Sequence, residues 1–218
     1  MLLAIEDILT GEDLLRVQTQ AAKLAFVSGK ATAGSVAKMA KDNWQASGAD
    51  AEPIIRFVRE KLDDHAIFKA ASQVRAYGPI LVSRYDVGQE YGLHVDNAYM
   101  GLVRSDLSFT LFLSDADSYE GGALRLELPA GSQAIRLPAG SLVLYPSTSL
   151  HCVEPVTRGQ RLAIVGWLES RVLHAEAREA LFDLANVRAS LDGVIGVDPL
   201  TRLTLQKVQA NLVRLLSQ

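Results

Sequence analysis

The sequence predicts an α+β protein whose centre is a β-sandwich or jelly roll, with helices at both ends of the chain. Three observations carry this expectation. From Pro79 to Glu169 the chain is a series of short runs rich in β-branched and aromatic residues, separated by Gly, Pro, Asp and Ser clusters. Before and after that stretch, apolar residues recur at helical spacing. Between the β runs there is no segment of crossover-helix length, which argues against a parallel α/β sheet.

The first 65 residues read as helical. Thr10-Gly-Glu-Asp13 resembles a capping box, and Leu14, Leu15, Val17, Ala21, Leu24 and Ala25 fall mostly on one helical face, so a helix is expected to start at or near Thr10. A polar, flexible-looking stretch from Ser28 to Asp50 follows. Pro53, at a first helical position, then precedes Ile54, Ile55, Val58 and Leu62, which predict a second, shorter helix.

The strand candidates are 80–86, 107–113, 123–128, 133–137, 141–145, a short piece around His151, and 161–169, with turns at Glu120-Gly121-Gly122 and Pro138-Ala139-Gly140. The tail returns to helix. Residues 175–191 are rich in good helix formers, and after Gly193 and Pro199 the spacing of Leu205, Val208, Leu212 and Leu215 is helical. Both tail helices are expected to close the core, with a contact between subunits of a homo-oligomer as the alternative. The expected organisation is a helical support region over 1–77, the β core over 78–171 and a C-terminal helical region over 172–218.

Composition narrows the function. A chain of 218 residues, 49% of them hydrophobic, can fill a core without staples. The single cysteine, Cys152, excludes an internal disulfide, and the lack of a cysteine cluster argues against structural zinc or an iron–sulfur centre, so a reducing cytoplasm is the expected compartment. The opening segment carries Glu6, Asp7, Glu12 and Asp13 where a secretory signal needs a basic start and an unbroken apolar run. No stretch has the composition of a membrane span, and a net charge of −3 gives no reason to expect nucleic acid. A small-molecule or protein substrate fits best.

The segment RYDVGQEYGLHVDN (84–97) holds two candidate metal ligands, His94 and Asp96. Residues i and i+2 of an extended strand share a face, so imidazole and carboxylate converge without a loop. His151, in YPSTSLHCVEP, supplies a third ligand if a jelly roll brings it back beside them. Two His and one carboxylate on one face leave coordination positions open, the arrangement of non-haem iron(II) oxygenases. Each element has a plainer explanation: a lone His-x-Asp is more often a satisfied polar pair, and a lone His151 says no more. Arg161, ten residues after His151 and on the next expected strand, raises the odds. Its guanidinium is a fixed fork that pairs bidentately with a carboxylate, as the distal carboxylate of 2-oxoglutarate requires. His65 and His174 read as ordinary surface or helix-end residues, and Cys152 as a buried thiol turned to the opposite face from His151.

RYDVGQEYGLHVDN, RSDLSFTLFLSDADSYEGGALRL, LPAGSLVLYPSTSLHCVEPVTRGQRLAIVGWLESRV and EALFDL, in that order, closely resemble the bacterial PKHD-type hydroxylases, a prolyl 4-hydroxylase-like branch of the iron(II)/2-oxoglutarate oxygenases. The similarity runs from about residue 78 to 186, with fainter echoes in SGKATAG (28–34) and the C-terminal helix. It implies a double-stranded β-helix with helices outside, Fe(II) held by His94, Asp96 and His151, and 2-oxoglutarate held through Arg161. It further implies L-ascorbate as the reductant and places Tyr85 near the cosubstrate carboxylate. The implied reaction consumes O2, converts 2-oxoglutarate to succinate and CO2, and hydroxylates a C–H bond of a prime substrate, a prolyl residue being one candidate. Where the family more often has an acidic residue after Gly121-Gly122, this chain has Ala123, and NAYMGLVRSD after Asp96 reads as a substrate lip. Two other readings remain at this point. A jelly-roll zinc hydrolase would use the same ligands but leave Arg161 unexplained. A binding domain that has lost catalysis would have no need of intact ligands.

Overall fold

In the computed structural model, residues 1–32 and 40–217 are described. In chain order the elements are β1 (Leu3–Ile5), α1 (Gly11–Ala21), β2 (Val27–Ser28), β3 (Lys41–Asp42), β4 (Trp44–Ala46), α2 (Glu52–Asp64), α3 (Ala66–Ser72), β5 (Val74–Tyr85), β6 (Glu90–His94), β7 (Tyr99–Met100) and β8 (Val103–Arg104). They continue with β9 (Leu107–Phe112), β10 (Glu120–Gly121), β11 (Leu124–Leu128), β12 (Gly131–Ile135), β13 (Leu142–Pro146), β14 (His151–Val153), β15 (Val156–Arg158), β16 (Arg161–Ser170), α4 (Ala175–Asp192) and α5 (Pro199–Leu216).

The strands form a seven-stranded sheet in the order β1-β13-β9-β16-β5-β4-β2 and a five-stranded sheet in the order β12-β11-β14-β6-β3, all antiparallel. The two short ladders β10–β15 and β7–β8 complete the set. This is the expected jelly roll, and alternation along its strands explains why it holds together. On β9, Leu107, Phe109 and Leu111 join the core beneath the helices, while Phe112 joins a second core between the sheets. On β13, Leu142 and Leu144 take the first side, and Val143 and Tyr145 the second. The large sheet is therefore buried on both faces, and its strands read as nearly continuous apolar runs rather than as clean alternation.

The helices α1, α2 and α3 cover the outer face of the large sheet through Val17, Ile54, Val58, Leu62 and Phe68. The two expected N-terminal helices are present, and Pro53 lies in the first turn of α2. Thr10 is the N-cap of α1, but its side chain makes no cap hydrogen bond, so the expected capping box does not form.

Three differences from the sequence-based expectation concern this region and the tail. The first 65 residues are not simply helical: β1 pairs with β13, β4 with β5 and β3 with β6, so the N-terminal segment extends both sheets. β3 and β4 fall in the stretch expected to be flexible, of which residues 33–39 lie outside the described residues. Strands of two or three residues are too short to show a period-2 signal. Last, the tail helices do not both close the core. α4 buries Arg178 and Leu181, whereas α5 buries no residue and packs on α4.

Candidate active site

β14 and β6 are hydrogen-bonded neighbours in the small sheet, and their register sets His151 directly opposite His94. The ring centres lie 4.2 Å apart. Each ring is fixed by its own backbone: Nδ1 of His94 is 2.8 Å from the Gly92 carbonyl oxygen, and Nδ1 of His151 is 3.0 Å from that of Ser149. A carbonyl only accepts, so each Nδ1 donates to it and Nε2 is the nitrogen each ring can offer to a metal.

Asp96 completes the group, although it lies two residues beyond the end of β6 rather than on the strand as expected. What brings it in is a hydrogen bond. Ser108 Oγ on β9 donates to Asp96 Oδ2 at 2.6 Å and also meets Ser147 Oγ at 2.7 Å, tying the carboxylate to the large sheet. Asp96 Oδ2 lies 3.8 Å from His151 Nε2, and one ligand atom from each of the three residues falls within 4.8 Å of the others. Two imidazole nitrogens and a carboxylate oxygen at this spacing could hold a divalent metal ion on one face. Burial, followed by the neighbouring His151, lowers the His94 pKa to about 4, which keeps its ring neutral and available as a ligand. Tyr91 stacks on His94 with ring centres 3.6 Å apart.

Arg161 opens β16, opposite Tyr85 on β5. It is 1% exposed, and Nε, Nη1 and Nη2 all lack a hydrogen-bond partner. The nearby rings of Tyr85 and Phe112, each 5.3 Å from the guanidinium carbon, offer only cation–π contact. A buried guanidinium without acceptors is costly, so this geometry fits an anion the protein itself does not provide. Burial raises the Tyr85 pKa, with the Arg161 charge opposing it, so the phenol remains neutral and able to donate. Space for the Arg161 stem depends on Gly122. Its φ is +59°, and a Cβ there would come within 2.9 Å of Val156 Cγ2 and 3.2 Å of Arg161 Cδ.

Between Arg161 and the two histidines lies an inner chamber, also lined by Ser83, Thr110 and Tyr145. It meets an outer cleft of about 530 Å³ whose lining includes Ile55, Arg59, Asn97, Met100 and Trp167. Asn97 and Met100 belong to the segment expected to form a lip, whereas Ala123 lines neither space. All five residues singled out from sequence thus gather around one chamber: His94, Asp96, His151, Arg161 and Tyr85. His65 and His174 lie elsewhere, as the N-caps of α3 and α4. Cys152 is free and buried.

Sequence reasoning missed Lys41, Ser108, Thr110, Tyr145, Ser147 and Trp167. Ser108 and Thr110 carried a usable signal, since hydroxyls at alternate positions of the apolar run LSFTLF must face a polar space inside the barrel. Lys41 carried none. It is 5% exposed, its Nζ lies 5.0 Å from the centre of the Tyr91 ring, and burial lowers its pKa to about 8, with the Asp96 charge opposing that shift.

Fold and site together define a metal-dependent oxygenase, and comparison with known proteins agrees. Residues 80–169 match the 2OG-Fe(II) oxygenase superfamily. A PKHD-type hydroxylase of Parvibaculum lavamentivorans is 47% identical over 216 residues, covering 98% of each chain. One from Acaryochloris marina is 45% identical over 216 residues, again covering 98% of each. Among solved structures, the Trichoplax adhaerens prolyl hydroxylase, in complex with a hypoxia inducible factor oxygen degradation domain peptide fragment, superposes with a TM-score of 0.60 at 20% identity, covering 83% of this chain and 86% of that one. The Pseudomonas putida prolyl-4-hydroxylase gives 0.53 at 19% identity, covering 78% and 92%. The chain belongs to the PKHD-type hydroxylases of the 2OG-Fe(II) oxygenase superfamily, and its enzyme class is Fe(II)/2-oxoglutarate-dependent dioxygenase.

Proposed function

We propose that His94, Asp96 and His151 hold the Fe(II), that Arg161 grips the distal carboxylate of 2-oxoglutarate, and that Tyr85 flanks the same cosubstrate. The observation that carries this reading is the Arg161 guanidinium, buried with three nitrogens lacking partners, in the same chamber as two histidines whose Nδ1 atoms are engaged by backbone carbonyls. The donor set fits the metal: two imidazole nitrogens and one carboxylate oxygen would hold it from one side and leave its other side to the cosubstrate. With both groups bound, the centre supplies the oxidising power for C–H hydroxylation, with succinate and CO2 as coproducts.

The protein's own contribution is placement. Gly92 and Ser149 carbonyls hold the two imidazoles in the ligating tautomer, and Ser108 holds the carboxylate. Arg161 sets the cosubstrate's orientation from the far end of the chamber, with the neutral hydroxyls of Tyr85, Thr110 and Tyr145 on its walls. The apolar residues Phe109, Leu124 and Val153 keep the chamber sheltered from bulk water. The hydrolase alternative gives Arg161 nothing to hold.

The prime substrate enters through the outer cleft, and a prolyl residue is one candidate, as the name of the structural relatives suggests. L-Ascorbate as reductant rests on the family resemblance, and a cytoplasmic setting on the single, buried, unpaired cysteine. A homo-oligomer through the C-terminal helices rests on the exposed apolar residues of α5, such as Leu200, Leu203 and Leu215. The test is oxygen-dependent consumption of 2-oxoglutarate by the anaerobically iron-loaded protein. Asp96→Ala is expected to abolish it, and iron-dependent succinate formation by that variant would overturn the ligand assignment.

A further inference from the structure

The inner chamber and the outer cleft share Lys41, Tyr91, His94, Asp96 and Trp167, which mark the junction where a C–H group would meet the metal. Lys41 is the only cation among them. It sits on β3 opposite Tyr91 and is 5% exposed, yet its ammonium makes no hydrogen bond and no ion pair among the described residues. Its neighbour Asp42 does not serve it, pairing instead with Lys30 at 3.8 Å. The Tyr91 ring, 5.0 Å from Nζ, and the Asp96 charge compensate it in part. At the same junction the Trp167 Nε1–H is buried without an acceptor. An ammonium carried by a buried residue and a buried indole N–H, both without acceptors at one junction, call for a ligand that supplies them.

Charge decides what kind of ligand. Resting on the function proposed above, the loaded chamber contains a dication, the Asp96 carboxylate, a dicarboxylate and the Arg161 guanidinium, which together sum to no net charge. The positive charge of Lys41 is left over, in a place where solvent screens poorly. We propose that Lys41 is the specificity-determining anchor for a carboxylate carried by the prime substrate, close to the carbon that is hydroxylated. The substrate is therefore a free acid, either a small molecule or the C-terminal residue of a peptide, rather than a residue inside a chain.

Matched acid and amide pairs test this. N-acetylproline and N-acetylleucine carry the carboxylate, and their primary amides present what an internal residue presents. Binding of each is measured by calorimetry to the anaerobic protein loaded with iron(II) and 2-oxoglutarate. The expected result is at least one acid bound about tenfold or more tightly than its amide, with that preference lost in Lys41→Met and largely kept in Lys41→Arg. Equal binding of acid and amide by the unaltered protein, or binding of neither, overturns the proposal whether or not the variants fold. The affinity for 2-oxoglutarate itself is the second arm. If Lys41→Met weakens it as much as acid binding, Lys41 serves the cosubstrate and the proposal also fails. Failure of the unaltered protein to bind 2-oxoglutarate at all would instead sink the underlying assignment of Arg161.

Discussion

Arg161 and Tyr85 face each other as register partners on β16 and β5, with the guanidinium carbon 5.3 Å from the centre of the tyrosine ring and no acceptor on any of its three nitrogens. In the free protein this is an unfavourable arrangement. Arg161→Met is therefore expected to raise the thermal stability of the ligand-free protein, since replacing even paired buried ionic groups by well-packed apolar side chains is often neutral or stabilising, by up to ~1–4 kcal/mol. The same variant is expected to lose about 2–5 kcal/mol of 2-oxoglutarate binding, roughly thirtyfold to several thousandfold in affinity. Thermal melts with and without 2-oxoglutarate read both effects. A variant stabilised by the cosubstrate as much as the unaltered protein would show that Arg161 does not hold it.

Ser108 reaches Asp96 from the opposite sheet at 2.6 Å, so it orients a carboxylate that lies beyond the end of its own strand. Ser108→Ala removes that donor and leaves the carboxylate free to rotate. Iron(II) affinity is expected to fall about 10- to 100-fold, the usual effect of losing a partner behind a metal ligand. Competition against a chromophoric chelator measures this. Unchanged affinity would mean that the metal alone orients Asp96.

The Ser108–Asp96 contact also shows how far the sequence could be read. Long elements were legible because burying one face of a helix or both faces of a central strand forces a recurrent apolar pattern, as in α2 and β9. The histidines and Arg161 were legible because their roles demand particular side chains at particular ends of strands. Asp96 was found for a reason that proved incomplete, since its place depends on Ser108 rather than on strand geometry. Lys41 was illegible: its burial comes from stacking against Tyr91 on a neighbouring strand, and the polar residues around it read as loop. The pattern in α5 announced an apolar face but could not say what lies against it.

The pH dependence of the metal-free protein follows from His94. Its folded-state pKa is lowered to about 4, first by burial and then by His151, from 6.5 in the unfolded chain. Between those values the unfolded chain binds the proton and the folded protein does not, so stability rises with pH across this window. The His94 contribution is fully present above about pH 6.5 and is progressively lost as pH falls toward 4. Urea unfolding of the metal-free protein between pH 4 and 7 is expected to show this slope, and His94→Gln is expected to flatten it. An equal slope in the variant would place the titration elsewhere.

Gly166 links the packing of the large sheet to the site. It lies in the middle of β16, opposite Ile80 on β5 and Phe109 on β9, and a Cβ there would come within 2.6 Å of Phe109 Cζ and 3.0 Å of Ile80 Cγ1. Phe109 cannot yield easily, being fully buried and packed edge-on against Phe68 with ring centres 6.3 Å apart. Gly166→Ala must therefore push β16 away from its neighbours, and overpacking of this kind costs about 1–3 kcal/mol. For a chain of this size the melting temperature is expected to fall by roughly 2–12 °C. Because Val165 and Trp167 flank Gly166 and line the chamber, the same displacement is expected to weaken 2-oxoglutarate binding. A variant with unchanged melting temperature would show that the Phe109 ring can turn aside, and with it that the sheet is less tightly packed at this point than the contacts require.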